Sequence, residues 1–463
     1  MGMAAVVEVF LVAASFGRLL TASAEDSGVI SCPLNRRPYA VGINYGRVAD
    51  NLPPPSVAVD LIQQLKAGYV KIYDADAEVI SAFSDTGLPL VITVRNEDIS
   101  NISSSPLIAD QWIQTNVLRH YPSVLICTIM VGNEVLSSAN AIAIAHLLVP
   151  AMTNIQSALV DHNLGDAIKV TTSLAMDVFG TTYPPSAGAF REEVVELVMQ
   201  PMLDLIARTN SYVFLDVYPF FAWGANTDSD ISLDYALLNN PAAITVDDQG
   251  LGYSNMLDSQ VDAAVAAMEK LGHPDVALVI SETGWPSKGD DGQRGATLGN
   301  AALYNQNLVR KALANPPAGT PRRPNTLIPV FIFSLFNENQ KPGPSTERNW
   351  GLFYPDGTPI YPMVLSTEPS TSSPVSRIST APSKEYWCVA LASEEGKVQA
   401  ALDYACAAGG DCSAIASPNQ PCFFPDTLLS HASYAFNSYW QRTKAFGATC
   451  NFDGTATLTT SDP

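Results

Sequence analysis

The sequence predicts an α/β protein, a (β/α)8 TIM barrel followed by a linker and a small disulfide-stabilised domain. Three observations support this fold class. Strand-like and helix-like segments alternate eight times in about 320 residues, the size and rhythm of such a barrel. Residues 366–383 are rich in Ser, Thr and Pro with almost no apolar content, which is typical of a linker. Five of the seven cysteines then fall between Cys388 and Cys450, as in small secreted domains held by disulfides.

The eight predicted strands are apolar and rich in β-branched residues, as expected for buried parallel strands. In chain order they cover Ala40–Gly46, Tyr69–Asp74, Leu88–Arg95, Ser123–Glu134, Ile168–Met176, Tyr212–Phe220, Val276–Thr283 and Ile328–Asn337. Helical periodicity between them predicts helices over Ser56–Ala67, Ala109–Arg119, Ala139–Leu159, Glu193–Arg208, Asp258–Leu271 and Asn300–Ala314. We expect Ser56 to cap the first of these helices.

Two of the predicted strands carry a glutamate at the C-terminal end. Glu134 ends the fourth strand and Glu282 lies at the end of the seventh. Active sites of TIM barrels lie at these strand ends, and burying a carboxylate is unfavourable unless another group balances its charge. Either acid alone could be a solvated loop residue. A pair of them points to acid and base chemistry of the kind used to cleave glycosidic bonds.

Composition narrows the class of ligand. The formal net charge is −20 and the isoelectric point is near 4.5, so nucleic acid and anionic membrane surfaces would repel the chain. A neutral polysaccharide fits this charge. The five histidines are scattered without the spacing of metal ligands, and we therefore expect no metal and no cofactor.

One segment resembles a known family closely. The run Leu278-Val279-Ile280-Ser281-Glu282-Thr283-Gly284-Trp285-Pro286-Ser287 is similar to the signature of glycoside hydrolase family 17, the plant endo-β-1,3-glucanases. The resemblance covers about residues 38–362. Further matching motifs, in chain order, are Gly42–Gly46, Val131–Glu134, Phe336–Lys341 and Asn349–Phe353.

The resemblance implies roles for the two glutamates. Glu282 matches the nucleophile and Glu134 the acid/base of a retaining mechanism, for which the carboxyl groups should lie about 5 Å apart. It also implies that Glu338, Lys341 and Glu347 bind substrate. Because Tyr45 and Trp285 lie near strand ends, we expect them to stack on sugar rings, and Asn133 and Tyr218 complete the predicted substrate-binding residues. Asn133 resembles an asparagine that binds the sugar 2-hydroxyl, and the Tyr218 hydroxyl could hold the nucleophile. Alternatively, Tyr218 only packs at the rim, and Glu338, Lys341 and Glu347 form a solvent-exposed ion-pair cluster.

The C-terminal residues 386–463 resemble carbohydrate-binding module family 43, which binds β-1,3-glucan. This resemblance implies the disulfides Cys388–Cys450 and Cys406–Cys412. The chain ends at Pro463, before the sixth cysteine of that family would appear, so Cys422 is expected to lack its partner. Cys127, inside a predicted strand, is expected to be a buried free thiol. The sequence does not predict whether Cys32 is free or disulfide-bonded.

The N-terminus predicts export. An apolar core followed by Ala22-Ser23-Ala24 indicates a signal peptide over residues 1–24, and Asn101 begins a glycosylation sequon. The domains are then a catalytic barrel over 38–362, a linker over 363–385 and the module over 386–463. We expect the protein to be secreted to the extracellular space or cell wall, and we expect a GPI-anchored form only for a longer chain.

Taken with the resemblance, the residues predict a retaining endo-1,3-β-D-glucosidase that cleaves callose-like glucan and acts as a monomer on β-1,3-glucan. The intact pair Glu134 and Glu282 favours this function. Two alternatives stay open. One is a wall-glucan binding or scaffolding protein without hydrolysis, and the other is a mixed-linkage 1,3;1,4-β-glucanase with the same catalytic pair.

Overall fold

The structure is a computed structural model. It describes residues 40–137, 141–226, 231–239, 244–366, 387–392, 394–408, 410–420, 422–443 and 449–459. The predicted signal peptide, Cys32 and most of the predicted linker lie outside the described residues.

Eight parallel strands form a closed barrel, which confirms the predicted fold. They are β1 (Val41–Tyr45), β2 (Tyr69–Ile72), β3 (Leu90–Val94), β4 (Ile126–Val131), β5 (Lys169–Thr171 and Ser173–Ala175), β6 (Tyr212–Asp216), β7 (Ala277–Thr283) and β8 (Val330–Ile332). Strand β5 is interrupted at Thr172. Its first half pairs with β4 and its second half with β6, so this one strand joins the two edges of the sheet. The order is β5-β4-β3-β2-β1-β8-β7-β6-β5.

The six predicted helices are present with ends shifted by a few residues, two of them partly as the π-helical segments Gln114–Leu118 and Val195–Met199. Three further helices, Ala77–Ala82, Ile99–Ser104 and Pro219–Ala225, lie outside the predicted helical ranges. In chain order the helices are α1 (Pro55–Leu65), α2 (Ala77–Ala82), α3 (Ile99–Ser104), α4 (Pro106–Ile113), α5 (Ala141–Asp161), α6 (Gln200–Arg208), α7 (Pro219–Ala225), α8 (Met256–Lys270) and α9 (Leu298–Ala312), with short helical turns at Glu192–Val194 and Leu233–Ala236. The prediction that Ser56 caps α1 is wrong. Pro54 is the N-cap and Pro55 takes the first helical position, where a missing N–H costs nothing.

A cluster of buried side chains fills the barrel. Six strands contribute to it, with Tyr69, Val91, Met130, Phe214 and Phe331 among its members. Because strands from around the barrel meet in this cluster, the barrel is a packed core and its chemistry has to lie at the strand ends. Cys127 belongs to the same cluster and is disulfide-bonded. The expectation of a free thiol is therefore wrong, and the partner of Cys127 lies outside the described ranges.

The described part of the C-terminal domain contains two helices and a two-stranded antiparallel sheet. Helices α10 (Glu395–Ala407) and α11 (Leu428–Thr443) accompany the antiparallel strands β9 (Trp387–Ala390) and β10 (Ala456–Thr459). Disulfides join Cys388 to Cys450 and Cys406 to Cys412, and Cys422 is free and exposed. Among the residues described, no helix combines the length and apolar character needed to cross a lipid bilayer.

Candidate active site

Glu282 is held by three donors at the end of β7. Its Oε1 accepts hydrogen bonds from Lys71 Nζ at 2.8 Å and from the Tyr73 hydroxyl at 2.6 Å. Its Oε2 accepts a hydrogen bond from the Tyr218 hydroxyl at 2.8 Å. Donors on both oxygens fix the orientation of the carboxylate and favour its ionised form.

The charge of Lys71 decides the ionisation of Glu282. Burial alone would raise the pKa of Glu282, but the cation of Lys71 and the hydrogen bonds from Lys71 and Tyr73 outweigh that effect and lower the pKa. Lys71 itself has no exposed surface. Glu282 is therefore a carboxylate at the pH at which a nucleophile is needed.

Glu134 is presented by an unusual turn after β4. Gly132 has φ +73° and Glu134 has φ +45°, so both lie in the left-handed region. A side chain at position 132 would meet Val135 Cγ2 at 2.3 Å, and only glycine fits there. Across the turn, Asn133 donates its N–H to Asn96 Oδ1 at 2.7 Å and accepts at its carbonyl from Asn96 Nδ2 at 2.9 Å.

The pKa of Glu134 is shifted in the opposite direction from the pKa of Glu282. Burial, followed by the negative charges of Glu282 and Asp216, raises the pKa of Glu134 to about 8. A carboxyl group with that pKa keeps its proton near neutrality and can donate it. When their environments shift the pKa values of two carboxyl groups in opposite directions, the group with the higher pKa is suited to act as the acid and the group with the lower pKa as the nucleophile.

Asn133 stands beside the acid in a defined orientation. Its Oδ1 accepts a hydrogen bond from Ser173 Oγ at 3.2 Å, and the same Ser173 oxygen accepts from the backbone N–H of Glu134 at 3.1 Å. The second half of β5 thus supports both residues. The Asn133 side chain is partly exposed, as a residue that contacts substrate has to be.

Glu338 and Glu347 surround Lys341 on the loop after β8. Glu338 is buried, and its Oε1 accepts from the backbone N–H of Val48 at 2.8 Å. Burial raises the pKa of both glutamates, while the charge of Lys341 lowers it. Lys341 Nζ lies 4.0 Å from the ring centre of Phe333. A freely solvated ion-pair cluster does not describe this arrangement, because Glu338 is inside the protein.

Two of the predicted substrate-binding aromatics lie in the core. Trp285 has no exposed surface and donates its indole N–H to the carbonyl of Gly295 at 2.7 Å. Tyr45 is buried against the ring of Phe336. Neither ring presents a face to a ligand in this structure. Tyr218, in contrast, donates a hydrogen bond to Glu282, so it does more than pack at the rim.

Sequence reasoning missed Lys71 and Asp216, and it predicted Tyr73 as a groove aromatic without its hydrogen bond to Glu282. A signal for Lys71 is present, because a lysine inside the apolar strand Tyr69–Ile72 is rarely buried without an acidic partner. Asp216 likewise ends the apolar strand β6. Within the ranges that the structure describes, no group of three or more His, Cys, Asp or Glu side chains is placed to hold a metal ion.

A barrel with a protonated and an ionised glutamate at its mouth defines a glycoside hydrolase that works with two carboxyl groups. The chain belongs to the glycosyl hydrolases family 17, whose model matches residues 41–364. The X8 domain, the family 43 module, matches residues 386–457.

Similar proteins agree with this assignment. The chain is 44% identical over 428 residues to "Probable glucan endo-1,3-beta-glucosidase A6" of Arabidopsis thaliana, covering 91% of this chain and 89% of the relative. It is 40% identical to "Glucan endo-1,3-beta-glucosidase 13" of the same plant, covering 91% and 83%. Among solved structures, a β-1,3-glucanase and allergen of Cryptomeria japonica pollen is 41% identical with a TM-score of 0.67, covering 71% of this chain and all of that one.

Replacing Lys71 tests the electrostatic account. Lys71→Met removes the charge that lowers the pKa of Glu282, so the acid limb of kcat/KM should move to higher pH. We also expect kcat to fall by about 10²-fold, since a charge-assisted hydrogen bond to the nucleophile is lost. The pH dependence of hydrolysis checks both expectations.

The matched control is Lys311→Met. Lys311 forms a 2.9 Å ion pair with Asp258, away from the two glutamates, and its loss should leave the acid limb in place. An acid limb that does not move in Lys71→Met would contradict the assignment of Lys71.

Proposed function

We propose that this protein is a retaining endo-1,3-β-D-glucosidase acting on callose-like cell-wall glucan. The observation that carries the proposal is the opposite pKa shift of Glu282 and Glu134 at one barrel mouth. The relatives named above supply the linkage, because they are named as glucan endo-1,3-β-glucosidases.

The first step forms a covalent glucosyl-enzyme. A Glu282 carboxylate oxygen attacks the anomeric carbon while the bond from that carbon to the glycosidic oxygen breaks. Glu134 transfers its proton to the departing oxygen, so the shortened glucan leaves as an alcohol. Lys71, Tyr73 and Tyr218 hold the nucleophile in line with the sugar.

The second step releases the sugar. Glu134, now a carboxylate, removes a proton from water as that water attacks the anomeric carbon and the ester bond to Glu282 breaks. Two inversions at the same carbon give net retention. The separation of about 5 Å between the two carboxyl groups that this route requires stays a prediction.

We further propose that the protein is exported and works in the cell wall. The predicted signal peptide supports this, and the sequon residue Asn101 is exposed on α3, where a glycan could be attached. A wall location would bring the barrel and the module to the same polysaccharide. Recovery of the protein, carrying a glycan at Asn101, from the medium of expressing plant cells would support this location.

Chemical rescue tests the two roles. Glu282→Ala should lower kcat by about 10⁴-fold or more, and azide should restore turnover of an activated β-glucoside with an α-glycosyl azide as product. Azide added to Glu134→Ala should give the β product instead. Proton NMR identifies each anomer, and exchanged outcomes would mean that the roles are reversed.

Glu196→Ala is the control for rescue, because Glu196 is an exposed acid and its loss should change neither turnover nor the response to azide.

A panel of substrates separates the endo-1,3-β-glucosidase from the mixed-linkage glucanase and from a scaffolding protein without hydrolysis. Reducing ends should be released from laminarin, with little release from mixed-linkage glucan or cellulose. Binding of laminarin without hydrolysis would favour the scaffolding function.

The module should control retention on insoluble glucan. Ending the chain after Ser366 keeps Leu365, which is buried against the barrel, and removes the domain that begins at Trp387. We expect sedimentation with insoluble β-1,3-glucan to weaken by about 10²-fold, because a tethered second site makes rebinding intramolecular. Hydrolysis of soluble laminari-oligosaccharides should not change. Equal sedimentation of both forms would show that the module does not bind this glucan.

A further inference from the structure

A third carboxyl group lies beneath the catalytic pair. Asp216 ends β6 and is paired in the sheet with Glu282 on β7. Only 1% of its surface is exposed. Its Oδ1 accepts a hydrogen bond from Ser281 Oγ at 2.5 Å and lies 3.9 Å from Lys71 Nζ. Its Oδ2 meets no donor in strict hydrogen-bond geometry within the part of the chain that the structure describes, although the Ser173 hydroxyl is near enough to lower the pKa of Asp216.

Lys71 therefore stands between two carboxyl groups. It lies 2.8 Å from Glu282 and 3.9 Å from Asp216. With both acids ionised, two buried negative charges would share one cation, which low-dielectric surroundings strongly disfavour. One acid has to keep its proton. Glu282 has donors on both oxygens, so the negative charge belongs there and the proton belongs on Asp216.

We propose that Asp216 is a positioning residue that must be protonated in the active enzyme, because its carboxylate would compete with the nucleophile Glu282 for Lys71. As a neutral acid, Asp216 leaves the lysine fully to Glu282. As a carboxylate, it draws the lysine charge away from the nucleophile. This inference rests on the retaining mechanism proposed above and adds a proton that the mechanism does not itself consume.

The electrostatics of the site agree with the geometry. Burial and the charge of Glu282 raise the pKa of Asp216 to about 7, against the opposing effects of Lys71 and Ser281. Glu134, with a pKa raised to about 8, faces the same site, and so do Glu338 and Glu347 beside Lys341; burial also raises the pKa values of these two glutamates. Asp216 and Glu134 are thus protonated in mildly acidic solution and lose their protons within a narrow range of pH.

The two phenols at the site do not titrate in that range. Burial, and then the charge of Glu282, raise the pKa of Tyr73 and of Tyr218 well above the ordinary value. The alkaline limb of kcat/KM below about pH 10 is then expected to report Asp216 and Glu134, the two acids that this proposal requires to be protonated. If each has to be protonated, the rate falls about a hundredfold per pH unit once both have titrated; a single required proton gives about tenfold.

The experiment is the slope of that limb on laminarin between about pH 8 and 9.5. Wild type should lose about a hundredfold per pH unit, and Asp216→Asn, which cannot ionise, about tenfold. Asp262→Asn is the matched control. Asp262 is also buried with its pKa raised, to about 6, but it lies on α8 and accepts from the backbone N–H of Arg322 at 2.8 Å. It should keep the wild-type slope.

Three outcomes would overturn the proposal. They are a wild-type limb of about tenfold per pH unit, an Asp216→Asn limb as steep as that of wild type, and loss of Asp216→Asn activity at every pH with a normal melting temperature. The first needs no variant, so it applies even if Asp216→Asn does not fold.

A second measurement does not depend on activity. An acid whose pKa is higher in the folded than in the unfolded state makes the protein less stable as pH rises between those two values. The melting temperature of Asp216→Asn relative to wild type should therefore increase from about pH 4 to pH 7 and then level off. A flat difference would overturn the proposal. If this difference appears but laminarin is not cleaved, the proposed function fails while the protonation of Asp216 stands.

Discussion

The buried ion pair between Lys71 and Glu282 governs the chemistry of the barrel mouth. Lys71 has no exposed surface and lies 2.8 Å from the Glu282 carboxylate. A buried cation is tolerated only beside an anion, so the pair fixes which acid is charged. Burial, and then that negative charge, raise the pKa of Glu134 and of Asp216. The ion pair thus helps to keep one ionised carboxylate beside two carboxyl groups with raised pKa values.

The barrel provides what this separation requires. Glu282 and Glu134 come from β7 and β4, which are not neighbours in the sheet, and the closed strand order brings the ends of these strands to one mouth. The backbone of Glu134 is in the left-handed region, with φ +45°, a conformation that a non-glycine residue adopts only when its surroundings enforce it. The hydrogen bonds between Asn96 and Asn133 and the support from Ser173 supply that enforcement. The acid is therefore positioned by rigid neighbours.

Much of this could be predicted from sequence, because strand and helix periodicity are local and the two glutamates lie at strand ends within distinctive motifs. Most of the wrong or missed predictions concern residues whose surroundings are set by contacts between distant segments. Tyr45 ends β1 and Trp285 follows β7, where the sequence does not decide between cleft and core, and the structure buries both. The Ser56 cap is a local exception, because Pro55 takes the first helical position. The sequence shows Lys71 only as an unexpected charge in an apolar strand, because its partner Glu282 is more than two hundred residues away.

In the proposed mechanism, Glu282 attacks the sugar directly, with Glu134 as its acid and base. The stereochemistry of the first product distinguishes this route from a single displacement by water. Proton NMR during the first minutes of laminarin hydrolysis, before the anomers interconvert, should show the β anomer of the new reducing end accumulating first. Initial release of the α anomer would mean that water attacks in a single displacement, and the role assigned here to Glu282 would be wrong.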